Sequence, residues 1–113
     1  MKRYCLALDL KDDPALIEQY EAHHRQVWPE VRQSILDAGI SELEIYRVRN
    51  RLFMILETSD SFSPEEKARK DLENPRVVEW ETLMWTFQKP LPWAAEGEKW
   101  QLMDKICEIS DEQ

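Results

Sequence analysis

The sequence predicts an α+β fold, and three features of the chain carry that prediction. Three segments, Arg3–Leu10, Glu42–Val48 and Arg51–Thr58, alternate or run apolar at strand length. Two longer segments place apolar residues at the three-and-four spacing of an amphipathic helix, most clearly Ile17, Tyr20, His24, Val27 or Trp28, Val31 and Ile35. Proline beside aspartate or asparagine marks the change of pattern, at Asp13-Pro14 and Asn74-Pro75. At 113 residues the chain is expected to form one domain, residues 1–113, with a core of its own.

The first strand alternates Tyr4, Leu6, Leu8 and Leu10 with Cys5, Ala7 and Asp9. Asp12-Asp13-Pro14 opens a helix, because an aspartate oxygen accepts from the free N–H groups of the first turn and proline needs no donor there. That helix is expected to run from Pro14 toward Ala38. Pro29 lies inside it, lacks an N–H and pushes the residue before it out of the helical region, so a kink or break is expected near Trp28. Gly39 is the expected stop. Glu42–Val48 and Arg51–Thr58 form the second and third strands, turning at Arg49-Asn50. A polar helix follows from Ser61 to about Glu73. Asn74 and Pro75 start another, carrying Val77, Trp80, Glu81, Met84 and Phe87 or Gln88. Lys89–Trp93 reads as an extended connector, Lys99–Ile109 as the last strand, interrupted by Asp104 and Lys105, and Ser110–Gln113 as a frayed tail. The order β-α-β-β-α-β is the ferredoxin-like arrangement. Its helices cover one sheet face. The other would stay a large apolar patch unless a second copy covered it, so a homodimer, a dimeric α/β barrel, is expected.

Composition removes several classes of function. The net charge of −8 offers no cationic footprint for nucleic acid or an anionic membrane surface. No stretch reaches the roughly 20 apolar residues of a membrane span, and the N-terminal apolar run, ended by Asp9, is too short for a signal peptide, so the cytoplasm is expected. Cys5 and Cys107, one near each end, fit neither a zinc motif nor a redox CxxC. Only two glycines leave no phosphate-cradling loop. No cofactor and no metal site are expected, and nucleophilic catalysis is disfavoured because no Ser-His-Asp set assembles.

The stretch Tyr20–Glu30 holds the groups that can move protons. Tyr20 and His24 stand four apart, one above the other on a helix, within an otherwise apolar stripe. His24 can take and give a proton near neutrality, or it is a core histidine with both nitrogens satisfied by protein. His23 points about 100° round the helix and is expected on the solvent side. Tyr20 can bind a ligand hydroxyl or orient His24. The five tryptophans offer flat faces suited to a sugar ring, although most are expected in the core or an interface. In Trp80-Glu81 a stacking surface stands beside an acceptor. Cofactor-free proton transfer on a small polar molecule remains.

Residues Tyr20-x-x-x-His24-x-x-x-Trp28-Pro29-Glu30, with Gly39, Ile45-Tyr46, and Trp80 and Met84, carry a resemblance across nearly the whole chain. The sequence resembles the L-rhamnose mutarotase family, small dimeric ferredoxin-like proteins that interconvert α and β anomers of 6-deoxy sugars. The resemblance implies that His24 is the catalytic proton donor and that Tyr20 contacts the sugar. A sugar-binding Trp-Trp pair of the family reads Trp80-Glu81 here, and a substrate-contacting tyrosine falls at Leu43. The stretches Glu79–Trp85 and Pro90–Trp93 are similar to an L-fucose mutarotase-like subgroup. Expected substrate-binding residues are therefore Tyr20, Trp80 and Glu81, on a monosaccharide, with L-fucose favoured over L-rhamnose. Two other readings of the same dimeric fold stay open at this point: a cofactor-independent monooxygenase or haem-binding protein, and a non-catalytic sugar- or metabolite-binding module.

Overall fold

The computed structural model describes residues 1–111. The elements are β1 (Lys2–Leu10), α1 (Pro14–His24), α2 (Pro29–Asp37), β2 (Ile40–Val48), β3 (Arg51–Thr58), α3 (Pro64–Leu72), α4 (Pro75–Trp85), β4 (Gln88–Lys89) and β5 (Gln101–Leu102). The sheet order is β2-β3-β1-β4, with β5 also on β1, and every pairing is antiparallel. This is the expected ferredoxin-like α+β architecture, with its last strand divided into two short pieces.

The local signals act as chemistry requires. Asp13 caps α1, accepting from the N–H groups of Ala15 and Leu16 at 2.9 and 3.3 Å. Asn74 does the same for α4 with Arg76 and Val77. The long first helix breaks: α1 ends at His24, Trp28 turns extended (ψ 136°), and α2 starts at Pro29. Gly39 takes φ +96°, a conformation that side chains resist, and a Cβ there would meet Ser59 Oγ at 2.7 Å. Both reasons make glycine the residue for this turn. Arg49, at φ 53°, supplies the left-handed residue of the two-residue β2–β3 turn.

Two expectations fail at the C-terminal end. Phe87 and Gln88 do not extend α4. Thr86 caps the helix, and Gln88-Lys89 pair with Leu10 and Asp9 as β4. The strand expected over Lys99–Ile109 shrinks to Gln101–Leu102, opposite Ala7 and Leu6, with Met103 N–H adding one bond to the Cys5 carbonyl. Asp104 and Lys105 explain the stop: the two charges interrupt the apolar alternation, so a longer strand would have no continuous apolar face to bury. Ile106 and Ile109 are accordingly exposed. Of the expected tail, residues 112 and 113 lie outside the described residues.

The core lies between helices and sheet. Leu10, Leu52, Tyr20, Val31, Val77, Trp80, Met84 and Phe87 form one cluster, and Ile40, Met54, Leu56 and Phe62 a second. Cross-strand register sets the floor between them. Tyr4, Leu56 and Leu43 form one row, and Leu6, Met54 and Ile45 the next.

Candidate active site

A cavity of about 520 Å³ opens over those two rows, roofed by residues of all four helices. That is an ordinary size for a small-molecule site. Its wall is mostly apolar. The sequence-predicted residues Tyr20, His24, Trp80 and Glu81 all line it, and so does Leu43.

His24 occupies the last position of α1 because Pro29 prevents the helix from continuing much further. It is half-buried, and its ring lies 4.3 Å from that of Tyr20 and 5.4 Å from that of Trp80. Its Nδ1 is 2.9 Å from the Tyr20 carbonyl oxygen. A carbonyl can only accept, so Nδ1 carries the proton and donates. In the neutral ring, Nε2 then holds a lone pair. Burial lowers the His24 pKa below its usual 6.5; the bond to the Tyr20 carbonyl and the charge of Glu81 work against that, and His23 adds to it. The resting group is therefore a neutral imidazole, an acceptor before it is a donor.

Tyr20 is 3% exposed. Burial pushes its pKa up to about 12, opposed by a hydrogen bond from Gln88 and reinforced by the Glu81 charge. The phenol keeps its proton at all ordinary pH values and presents a donor. Trp80 is packed edge-on by His24 and by Trp28, whose ring is 5.2 Å away, and Arg76 lies 4.1 Å over Trp28. The Trp28–Arg76 stack thus fixes the tryptophan that borders the cavity. Glu81 stands at the rim, ion-paired with Lys99, which also lies over the ring of Trp85. Arg47 donates to Glu21 at 2.8 Å and straps β2 to α1 beside His24.

His23 departs from expectation. It is half-buried, with its ring 5.6 Å from Phe87 and 6.4 Å from Trp80. Helix α1 sinks far enough into the core for two adjacent faces to make contact. Sequence reasoning missed Gln88, which lines the cavity beside Tyr20. A two-residue strand has no readable period, so nothing in the sequence marked it. Among the described residues, no group of three or more His, Cys, Asp or Glu converges as metal ligands, and no helix is long and apolar enough to cross a membrane.

A half-buried base, a protonated phenol and an aromatic surface in one apolar cavity can bind a small polyol and exchange protons with it. Comparison with known proteins points the same way. The family described as L-rhamnose mutarotase matches residues 3–109. An L-fucose mutarotase of Xanthomonas campestris is 50% identical, over 98% of this chain and 90% of its own length. The crystal structure of an L-rhamnose mutarotase from Formosa agariphila superposes with a TM-score of 0.71 at 20% identity, covering 97% of this chain and 100% of that one. Tetracenomycin F2 cyclase from Streptomyces glaucescens follows at 0.68 and 16%, covering 97% and 98%. The last two likenesses speak for the fold alone.

Proposed function

The chain belongs to the L-rhamnose mutarotase family and is a sugar mutarotase, an isomerase of anomers; from that premise we propose that its substrate is L-fucose and that His24 and Tyr20 open and close the ring. The haem, oxygenase and binding-module readings fall away with that membership. One observation carries the assignment of roles: Nδ1 of His24 is spent on the Tyr20 carbonyl, so Nε2 is the nitrogen left for the substrate.

The chemistry balances within this pair. The anomeric hydroxyl gives its proton to His24 Nε2, the C1–O5 bond breaks, and O5 takes the Tyr20 proton. The open-chain aldehyde turns about C1–C2. On closing, O5 returns its proton to Tyr20 and attacks the other face of C1, while the imidazolium returns its proton to O1. Both groups end as they began, and no water is consumed. The donor role expected for His24 thus belongs to the closing step. Trp80 gives the C–H face of the sugar a flat surface, and Glu81 accepts a hydroxyl at the rim while Lys99 holds it.

Two features support a 6-deoxy sugar. Leu6, Ile45, Met54 and Leu56 make an apolar floor that suits a methyl group, and the 50%-identical relative is an L-fucose mutarotase. A 6-hydroxyl would lose water there without a partner, which disfavours L-galactose by roughly 10–100-fold. Saturation transfer between anomer NMR signals tests the reading. L-Fucose exchange accelerates most, L-rhamnose less and L-galactose least; equal acceleration of all three refutes the specificity.

We further propose that the active form is a cytoplasmic homodimer. The sheet face away from the helices presents Cys5, Ala7, Phe53 and Ile55, with Tyr46 and Val48 exposed beside them, and nothing among the described residues covers it. The Asp9–Arg51 and Arg3–Glu57 ion pairs flank this apolar strip, the arrangement of an interface with a polar rim. Free thiols at both cysteines suit a reducing compartment.

A further inference from the structure

One polar side chain in the cavity wall has no part in the chemistry so far. Gln88 is 4% exposed. Its Nε2 lies 3.5 Å from Tyr20 Oη, a long hydrogen bond. Among the described residues its Oε1 has no hydrogen-bond partner, and it is the buried side-chain atom of which that is true. A buried acceptor left unpaired is unfavourable, and native interiors keep few of them. Methionine would fill nearly the same space without that cost. The glutamine is accounted for if what enters the cavity supplies the missing donor. The last torsion of a glutamine side chain is soft, so the amide can turn to an incoming hydroxyl while β4 stays paired with Leu10.

We propose that Gln88 is a substrate-binding residue whose Oε1 accepts a hydroxyl of the bound sugar while its Nε2 donates to Tyr20 Oη. The proposal rests on the mutarotase reading above, since it needs a polyol in the cavity. The two bonds reinforce each other. Donation into Tyr20 Oη occupies an oxygen lone pair and leaves the phenol proton free for the sugar's ring oxygen. The same donation favours the phenolate that forms when that proton leaves; Gln88 already draws the Tyr20 pKa down against burial. Ligand recognition and the acidity of Tyr20 thereby meet in one amide.

The test is anomer exchange of L-fucose, measured by saturation-transfer NMR over a range of sugar concentrations and pH, on the wild-type protein and two variants. Gln88→Met melts no lower than wild type, because it removes an unpaired acceptor, yet its KM rises about tenfold, the loss of one hydrogen bond. Gln88→Glu adds a readout that a purely structural role would not move. Its protonated carboxyl imitates the amide, with one donor for Tyr20 and one acceptor for the sugar. Its carboxylate has no proton to donate and accepts a hydrogen bond from the Tyr20 hydroxyl instead, which engages the proton meant for the sugar. The variant-to-wild-type rate ratio therefore falls as pH rises. A Gln88→Met protein with wild-type KM and kcat overturns the proposal, as does a Gln88→Glu ratio that stays flat with pH. The second variant decides the matter if the first fails to fold. A wild-type protein that does not speed the exchange refutes the mutarotase chemistry itself, a result distinct from unaffected variants of an active enzyme.

Discussion

The two faces of the sheet are built from the same strands and have different fates. On β3, Leu52, Met54, Leu56 and Thr58 point to the helices and are buried, while Phe53, Ile55 and Glu57 point away and are half-buried. The run Leu52–Leu56 is apolar at every position, the pattern of a strand that is covered on both sides. The helix side is closed by this chain, but incompletely, and the space left over is the cavity. The other side has no helix over it among the described residues, and its side chains stay half-buried. One strand thus serves a site on one surface and, in our reading, an association surface on the other, and substitutions should separate the two.

The largest separation comes from His24→Ala. It is expected to lower anomer exchange by about 10²–10⁴-fold, the usual contribution of positioned acid–base catalysis, while sedimentation still reports the wild-type assembly. Anomer exchange by NMR at equal protein concentration checks this, and a variant with the wild-type rate removes His24 from the mechanism. Next is Leu52→Ala, on the closed face. Leu52 is 1% exposed, so the cavity it leaves should cost about 2–5 kcal/mol of stability in denaturant unfolding. A loss under about 1 kcal/mol would mean that the core around Leu52 is looser than its burial implies.

Ile55→Lys probes the opposite face, three residues along β3. Sedimentation equilibrium should then report a species near the 13.6 kDa of one chain with its helical circular dichroism intact. A variant that sediments as wild type would show that this face does not join the copies.

The smallest effect concerns pH. In the folded protein His24 binds its proton less readily than in the unfolded chain, where its pKa is near 6.5. Stability therefore declines as pH drops below 6.5, down to the lowered folded value, and is unaffected by this group above 6.5. Exchange should fall in the same acidic direction, because the base is lost. It should hold level above neutrality, since Tyr20 keeps its proton to about 12. A protein-catalysed rate that climbs on acidification would instead make imidazolium the working form.

Much of this was legible in the chain because it is local. Asp13, Asn74 and Gly39 act within a few residues of themselves, and Pro29 breaks its helix where its missing N–H and its ring demand. The Tyr20–His24 pair could be found because a spacing of four is a contact on any helix. The misreadings have a different origin. The helical period of α4 reaches to Phe87 or Gln88, but Gln88 pairs with Leu10, a residue 78 positions earlier. The apolar residues on either side of Asp104 and Lys105 suggest a longer last strand, but pairing stops at Leu102. A single buried helix face puts His23 toward solvent, but Phe87 and Trp80 reach round to a second face.

By itself the amino-acid order determined the class of fold, the element order as far as α4, the helix break and the catalytic candidates, since dihedral preferences, caps and side-chain periodicity all work over one or two turns of chain. Only the folded chain decided which nitrogen of His24 is free, that Tyr20 holds its proton, that Glu81 is tied to Lys99, and that Gln88 lines the cavity. Those properties depend on burial and on partners brought close from distant parts of the sequence, and no local pattern encodes the electrostatics of such a meeting.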